Sequence, residues 1–570
     1  MLGVSGSGKT CIVIQRAIYL AKKYPNEKIL VLTLNKPLAV LIENLVNQLA
    51  EDEVISQIKV KPFFAVGQEL LNQFEPENIK LYEDTTWKSG EHIDEVWREF
   101  YRCELGSDGA KVLHELHDSL IARNIDAEQY IREEFDWIRS AFPIKNRKGY
   151  FAISRQGRTI PLNERHRKLL LRGLEAWERK MKAIGVTDYL NISTAVYKYI
   201  DKIPTKYRSI LIDESQDFGN IEFTIARKLV SKNENDVFLC GDAAQKISTK
   251  YQNLKEAGIE LHGSRSKKIF RNYRNSREIL ELANQILIEN LTDEMFSSDD
   301  FEILDPEFAS FSDANPLLLK AENLSVEISS AINYLKNNIK ENQKACICIA
   351  GFSQHEIEIF ATEVEIPVLS GHVDIDKASL FLSDLEQTKG FEFDYVCILN
   401  CSADIIPDRY LPLEEHFREL SRLYVAMTRA KLELFISYSG EKSCLFVNIE
   451  DFVIEDNWLT FVDEDMMLYK CPSKMSEIVH QEDNTSISLG EMTGELFLYR
   501  KEAIGLSNEL IEFLRKKVTG QGSKIKLASG SYTIGTWKNM ADLISDINKK
   551  NAYEHKVNPK FIEELRSLQI

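Results

Sequence analysis

The run Gly3-Val4-Ser5-Gly6-Ser7-Gly8-Lys9-Thr10 constrains the fold more than any other segment of this chain. Its Gly-x-x-x-x-Gly-Lys-Thr spacing lets backbone N–H groups turn inward around phosphate oxygens. The lysine brings charge to the β/γ-phosphates, and the threonine hydroxyl stands where Mg2+ binds. Such a loop works at the junction of a buried parallel strand and a helix, so it predicts an α/β domain with a nucleotide site. Gly3, Ser5, Gly6, Ser7, Gly8, Lys9 and Thr10 are the candidate nucleotide-binding residues, and Thr10 is also a candidate metal ligand. Only Met1 and Leu2 precede the loop, where a whole strand is usual, and this leads us to expect an N-terminally truncated chain.

After the loop, segments of helical period alternate with apolar strand-like runs. Residues 11–23 suit the helix that follows a phosphate loop, 28–34 (KILVLTL) a buried strand, 38–50 a helix and 58–60 a strand; 209–213 (SILID) and 236–240 (DVFLC) are two more strands. This alternation predicts a parallel sheet covered by helices. A second alternation follows a helical stretch at 277–287, with strands at 317–319, 345–350, 395–399 and 434–438 and helices near 326–336 and 417–430. Between the early strands and SILID lies a helical stretch too long to be a loop. The expected organisation is a first α/β domain over 1–74 and 186–285, a mainly helical insert over 75–185, a second α/β domain over 286–444 and a small α+β region over 445–570. In that last region the acidic run 463–465 reads as a solvated loop, 508–517 as a helix, and 524–537 as strands around a Gly-Ser turn.

The net charge of −17 over 570 residues argues against a protein that coats nucleic acid indiscriminately, but leaves room for a basic groove on an acidic body. Nine cysteines lie scattered without zinc-ligand spacing, several in apolar runs such as 345–349, and read as buried thiols of a reducing compartment. No basic-then-apolar leader opens the sequence, and no apolar run approaches the roughly twenty residues that span a bilayer. A cytoplasmic protein without membrane association is expected.

Leu211-Ile212-Asp213-Glu214-Ser215-Gln216-Asp217 ends an apolar strand in paired carboxylates, where Asp213 can hold Mg2+ and Glu214 can polarise an attacking water. Gly241-Asp242-Ala243-Ala244-Gln245 ends the next strand, and Phe270-Arg271-Asn272-Tyr273-Arg274 sets an aromatic face beside a guanidinium. Lys389-Gly390-Phe391-Glu392-Phe393-Asp394 and Tyr424-Val425-Ala426-Met427-Thr428-Arg429-Ala430 follow. With the phosphate loop, these segments resemble, in order and spacing over residues 1–440, the superfamily 1 helicases of the UvrD/Rep/PcrA group. The resemblance implies two tandem RecA-like P-loop NTPase domains, ATP and Mg2+ as cofactors, and an ATP-hydrolysing DNA helicase or single-strand translocase of 3' to 5' polarity. It also implies roles: Asp213 on the metal, Glu214 as general base, Gln245 as γ-phosphate sensor, Arg274 and Arg429 as arginine fingers, Tyr273 on adenine, and Gly390 and Glu392 near the nucleotide.

Asn35 and Lys36 align with a DNA-contacting segment of the family, Phe64 replaces a histidine, and Lys250-Tyr251 falls where a tryptophan-arginine pair is usual. All five are candidate DNA contacts by resemblance, while core packing is the alternative for Phe64 and Tyr251. Cys11 and Glu386 depart from the family's arginine and histidine. From Lys145 to Arg172 nine cations, Arg155, Arg158 and Arg167 among them, face a single acid, Glu164. That asymmetry suggests a phosphate-tracking surface, against the alternative of a solvated helix face. The implied partner is single-stranded DNA or a duplex with a 3' single-stranded tail. Likeness to a subgroup with an upstream nuclease-related domain adds a nuclease or other protein partner. The rival expectation is a DNA-binding regulatory subunit whose ATPase is impaired by the missing strand and adenine box.

Overall fold

The computed structural model of the chain describes residues 1–83, 93, 96–101, 112–123, 125–155, 158, 160–261, 265–291, 303–304, 306–307, 312–352, 354–369, 378–403, 405–407, 413–461, 523–527 and 530–534. Its first sheet is four-stranded and parallel, in the order β3 (Ile58–Pro62), β2 (Ile29–Thr33), β4 (Ser209–Ile212), β5 (Val237–Leu239). Every residue of β2 and β4 is buried, as a parallel sheet covered on both faces requires. Alternate side chains serve alternate faces. Ile29, Val31 and Leu211 pack with the helices Lys9–Lys23 and Lys36–Leu49, while Leu30, Leu32, Ile210 and Ile212 pack with the helix Phe63–Phe74.

The segment before the phosphate loop forms a short strand, β1 (Leu2–Gly3), parallel to β6 (Lys268–Ile269). It is fastened to the end of β5 on its other side, where Gly3 N donates to Gly241 O at 3.0 Å and Gly241 N to Met1 O at 3.2 Å. The loop is thus held at the carboxyl ends of the strands.

The second sheet is six-stranded and parallel, in the order β12 (Ile454–Asn457), β7 (Leu317–Ala321), β11 (Ala430–Ser439), β10 (Phe393–Leu399), β8 (Ala345–Ile349), β9 (Leu380–Ser383). On β8, Cys346 and Cys348 face one core, and Ala345, Ile347 and Ile349 the other. Two features depart from the expected boundaries. β12 adds a strand beyond residue 444, and the helix Arg277–Asn290, assigned to the first domain as far as 285, buries Ile279, Leu282, Ala283 and Ile286 in the core of the second. The described C-terminal residues form an antiparallel hairpin, β13 (Ser523–Leu527) and β14 (Gly530–Ile534), with Gly530 paired to Leu527 rather than in the turn. The acidic run 463–465 and the helix expected at 508–517 lie outside the described residues. No helix among the described residues is long and apolar enough to cross a membrane.

The insert is helical, with Ala127–Ala141 and Glu164–Ile184 packed around Trp97, Phe135, Trp137 and Trp177. It touches the second domain through buried charge. Glu134 takes Arg155 Nη2 at 2.7 Å, Arg158 Nε at 2.9 Å and the Tyr150 hydroxyl at 2.5 Å. Arg158 Nη1 reaches both Glu133 and, across the domain boundary, Glu415, each at 3.2 Å. Arg418, from the same helix as Glu415 (Leu413–Met427), pairs with Glu133 and Glu415. Burial opposes the charge on Glu134, but Arg158 and Arg155 outweigh it and hold the carboxyl down at about 2.

A carboxyl whose pKa is depressed on folding stabilises above its unfolded value and loses that contribution as pH falls toward its folded one. Glu134→Gln, a mimic of the protonated form, is therefore expected to lower stability at pH 7 by about 3 kcal/mol. In denaturant titrations the gap to the unmodified chain should close between about pH 4.5 and about pH 2. A gap independent of pH would contradict this assignment.

Candidate nucleotide site and interdomain cleft

Gly6 (φ 65°) and Gly8 (φ 75°) take left-handed backbone conformations that curl the loop into the start of the helix Lys9–Lys23. A Cβ on Gly8 would meet nothing within 4 Å, so the loop opens onto free space. That helix has no side-chain cap, and its first N–H groups are left for an anion. Lys9 Nζ donates to Gly3 O and Val4 O, each at 2.9 Å, and lies 3.6 Å from Asp242 Oδ2. The buried Ser7 Oγ has no hydrogen-bond partner among the described residues.

Thr10 Oγ1 donates to Asp213 Oδ2 at 2.7 Å, joining the loop to the end of β4. Burial first, then the neighbouring charge of Glu214, pushes Asp213 up to about 6. Glu214 follows with φ 51°, a strained conformation for a residue with a side chain, and Gln216 Nε2 donates to its Oε2 at 2.6 Å. Burial disfavours its charge, yet Lys389 and Lys9 prevail and hold it below the usual carboxylate range. A hydroxyl and a carboxylate converging beside a phosphate loop are a hard, oxygen-only donor pair, which fits Mg2+.

The second domain reaches the same place. Arg429 Nη2 donates to Gln245 Oε1 at 3.3 Å, and Gln245 Nε2 donates to Asp242 Oδ2 at 3.0 Å. Lys389 pairs with Asp217 and donates to Gln245 O at 2.9 Å. Arg274 Nη1 is 3.4 Å from Ser5 Oγ, and its Nε donates to Glu392 at 2.7 Å. Tyr273, 63% exposed, stands beside the loop, its backbone N donating to Gly6 O at 2.9 Å. Burial, then Arg274, lowers Arg429 to about 9. Gly390, in the loop before β10, has φ 92° and lies against Asn35. The phosphate loop, Asp213, Glu214, Gln245, Arg274, Glu392 and Arg429 are thus linked across the domain boundary with Tyr273 beside the loop, while Gly390 lies against Asn35.

The candidate DNA contacts divide. Asn35, Phe64 and Lys250 line a cleft of about 520 Å³ between the domains, where Lys389, Arg418 and Arg422 are answered by Asp217, Glu133 and Glu386. Asn35 Oδ1 accepts from Leu38 N at 3.2 Å, its Nδ2 lies 3.4 Å from Lys389 O, and Lys36 beside it is exposed. Phe64 stacks on Tyr189 with centroids 4.3 Å apart. Lys250 is held by both oxygens of Glu222, at 2.7 and 2.8 Å, and Tyr251 is buried against Trp137.

The phosphate-tracking surface does not form at Arg155, Arg158 or Arg167. The first two are buried in the carboxylate network, and Arg167 Nη1 donates to Tyr150 O at 2.6 Å and Ile153 O at 3.0 Å. Arg147 forks onto Glu178. Lys145, Lys148, Arg165, Lys168 and Arg172 keep exposed positions. Several site residues had no assigned role in the sequence, among them Gln216, Asp217 and Lys389, Asp242, which faces Lys9, and Asn275, whose Nδ2 donates to Thr428 O at 3.0 Å and Ala430 O at 2.5 Å across the domain boundary. The available signal was position: all but Asn275 lie inside the resembling segments, and Asn275 directly follows one.

Residues 1–257 match the family description "UvrD/REP helicase N-terminal domain", and residues 351–441 match "UvrD-like helicase C-terminal domain". Among curated proteins, the chain is similar to ATP-dependent DNA helicase Rep of Buchnera aphidicola (22% identity, 51% of this chain, 43% of that protein). It is similar also to the putative ATP-dependent DNA helicase YjcD of Bacillus subtilis (23%, 51% and 36%) and to ATP-dependent DNA helicase UvrD1 of Mycobacterium tuberculosis (24%, 20% and 17%). The matched segments span less than half the length of each relative.

At Gly6 an added Cβ would lie 2.6 Å from Asn272 Nδ2 and 2.7 Å from Arg274 Cβ, in a conformation that disfavours side chains. Gly6→Ala is expected to destabilise the fold by about 1–2 kcal/mol and to displace Arg274. Equilibrium unfolding and nucleotide-binding titrations should both respond; an unchanged pair would overturn this view of the loop.

Proposed function

From the superfamily 1, UvrD/Rep/PcrA-type helicase domain architecture of this chain, we propose an ATP-dependent DNA helicase or single-strand translocase that works 3' to 5' and hydrolyses ATP between its two motor domains. One observation carries the proposal. Arg429 of the second domain meets Gln245 of the first, and Glu392 of the second meets Arg274, which itself reaches Ser5 of the phosphate loop, so a complete set of phosphate-directed groups exists only where both domains close. Phosphoryl transfer is catalysed mainly by positioning and electrostatics, and a guanidinium delivered from a second body makes turnover depend on closure.

In this reading Lys9 and the open N-terminus of its helix bind the phosphates, while Thr10 and Asp213 hold Mg2+, which neutralises phosphate charge when bound. Glu214, kept ionised by Lys389 and Lys9 and oriented by Gln216, accepts the proton of the attacking water. Gln245 and Arg429 face the transferred group, and Tyr273 offers its exposed ring to the base. Asn35, Lys36 and Phe64 are the proposed DNA contacts: Asn35 and Phe64 line a cleft shared with Lys389, Glu214 and Asp217, and Lys36 is exposed next to Asn35.

ATP turnover stimulated by single-stranded DNA is the expected activity, together with strand displacement that requires a 3' tail. Lys9→Ala should abolish turnover, and Glu214→Gln should bind ATP without hydrolysing it, a loss of at least about 100-fold. Normal turnover in either variant would sink the roles of Lys9 and Glu214. DNA affinity should fall steeply with salt and fall further on reversing Lys168 and Arg172 to Glu; an affinity independent of salt would rule out phosphate contacts.

A further inference from the structure

The helix Leu413–Met427 carries two buried faces. Phe417, Leu420, Leu423, Tyr424 and Met427 lie in or at the hydrophobic core, as an amphipathic helix on a sheet requires. The opposite face sets charges at i, i+3, i+4 and i+7: Glu415, Arg418, Glu419 and Arg422. A solvated face would leave these exposed, yet Glu415 and Arg418 are only 3% and 8% exposed.

We infer that Glu415 and Arg418, gripped from the insert by Arg158 and Glu133, are positioning residues for Arg429, so that the helical insert sets where the second domain's arginine stands in the nucleotide site. The inference rests on the ATPase role proposed above for Arg429. The grip is directional: Arg158 Nη1 lies 3.2 Å from Glu415 Oε1 and 3.2 Å from Glu133 Oε2, and Arg418 pairs with Glu133 in return. Three carboxylates (Glu133, Glu134, Glu415) meet three guanidinium groups (Arg155, Arg158, Arg418), which leaves no net charge in the cluster. Buried ion pairs of this kind fix geometry more than they stabilise, because desolvation offsets most of their attraction.

Further along the same face, Arg422 pairs with Glu419 and, at 3.3 Å, with Glu386, the glutamate that stands where the resembling family has histidine. At its end the helix delivers Arg429. That guanidinium is fastened to the last turn through Nε to Val425 O at 3.0 Å and points Nη2 at Gln245. Glu415 and Arg429 are about 21 Å apart at helical rise, joined by a nearly continuous rigid element, so a shift at the grip is passed to the finger. A misplacement of about 1 Å at a reacting centre can lower a rate by about 100-fold.

The test is a double-mutant cycle in the full chain. Glu415→Gln keeps shape and removes the charge that crosses the boundary. It is expected to lower DNA-stimulated kcat for ATP about tenfold with directly measured ATP affinity changed less than about twofold, and Glu415→Gln/Arg429→Ala should be no slower than Arg429→Ala alone. An unchanged kcat, or losses that multiply in the double variant, would overturn the inference. Amide hydrogen exchange over residues 424–430 gives a readout independent of turnover: faster exchange in Glu415→Gln is expected, and unaltered exchange counts against the grip even if the chain proves to have no ATPase. Absence of turnover in the unmodified chain with the exchange effect intact would instead remove the proposed function and keep the mechanical link. Should Glu415→Gln fail to fold, Arg158→Lys, which keeps charge and loses the fork, takes its place with the same outcomes.

Discussion

A carboxylate at the end of a fully buried strand must be answered by its surroundings, and at Asp213 much of the molecule takes part in the answer. Thr10 donates to one oxygen and the Glu214 backbone N to the other, at 3.1 Å, while Lys9 adds charge from nearby. Even so, burial leaves the carboxylate charge under-compensated and raises its affinity for a proton, and a divalent cation would compete with that proton for the same oxygens. The sheet that buries Asp213 delivers Glu214 and the Gln245 segment from the ends of its neighbouring strands β4 and β5, and the phosphate loop is fastened beside them through Gly3 and Gly241.

The two α/β domains are joined by polar contacts that reach into each other's loops. Lys389 touches both Asp217 and the carbonyl of Gln245, Asn275 answers the carbonyls of Thr428 and Ala430 on either side of Arg429, and Asn35 approaches the carbonyl of Lys389. Each of these residues also belongs to, or borders, the cleft or the nucleotide site. Closure of the site and cohesion of the two domains are therefore the same set of bonds.

Most strands of the two sheets, though not the buried β9, were legible in the sequence because their information is local, and so were the segments that gather around the phosphate loop. ILVLT and ACICI can only be buried strands, and a glycine-lysine-threonine spacing carries its own chemistry. The arginines of the insert were not legible, because their partners are remote. Counting acids within 145–172 finds only Glu164, whereas Arg158 is answered by Glu133 and Glu134 about 25 residues earlier and by Glu415 on another domain, 257 positions away. The same blindness applies to the helix Arg277–Asn290, whose apolar face announces burial without saying against which sheet. β12, IEDN, is exposed at every position and offers no alternation to detect; backbone pairing with β7 alone defines it.

Glu214 illustrates a conflict within one residue. Its backbone sits at φ 51°, where a side chain costs about 1–2 kcal/mol and glycine costs nothing. The strain aims the carboxylate toward Gln216 and the loop, and relief of the strain removes the carboxylate. With Glu214 in the role proposed for it, selection for a sturdier fold and selection for turnover pull this position in opposite directions, and a library sorted for thermal resistance alone should drift away from glutamate here.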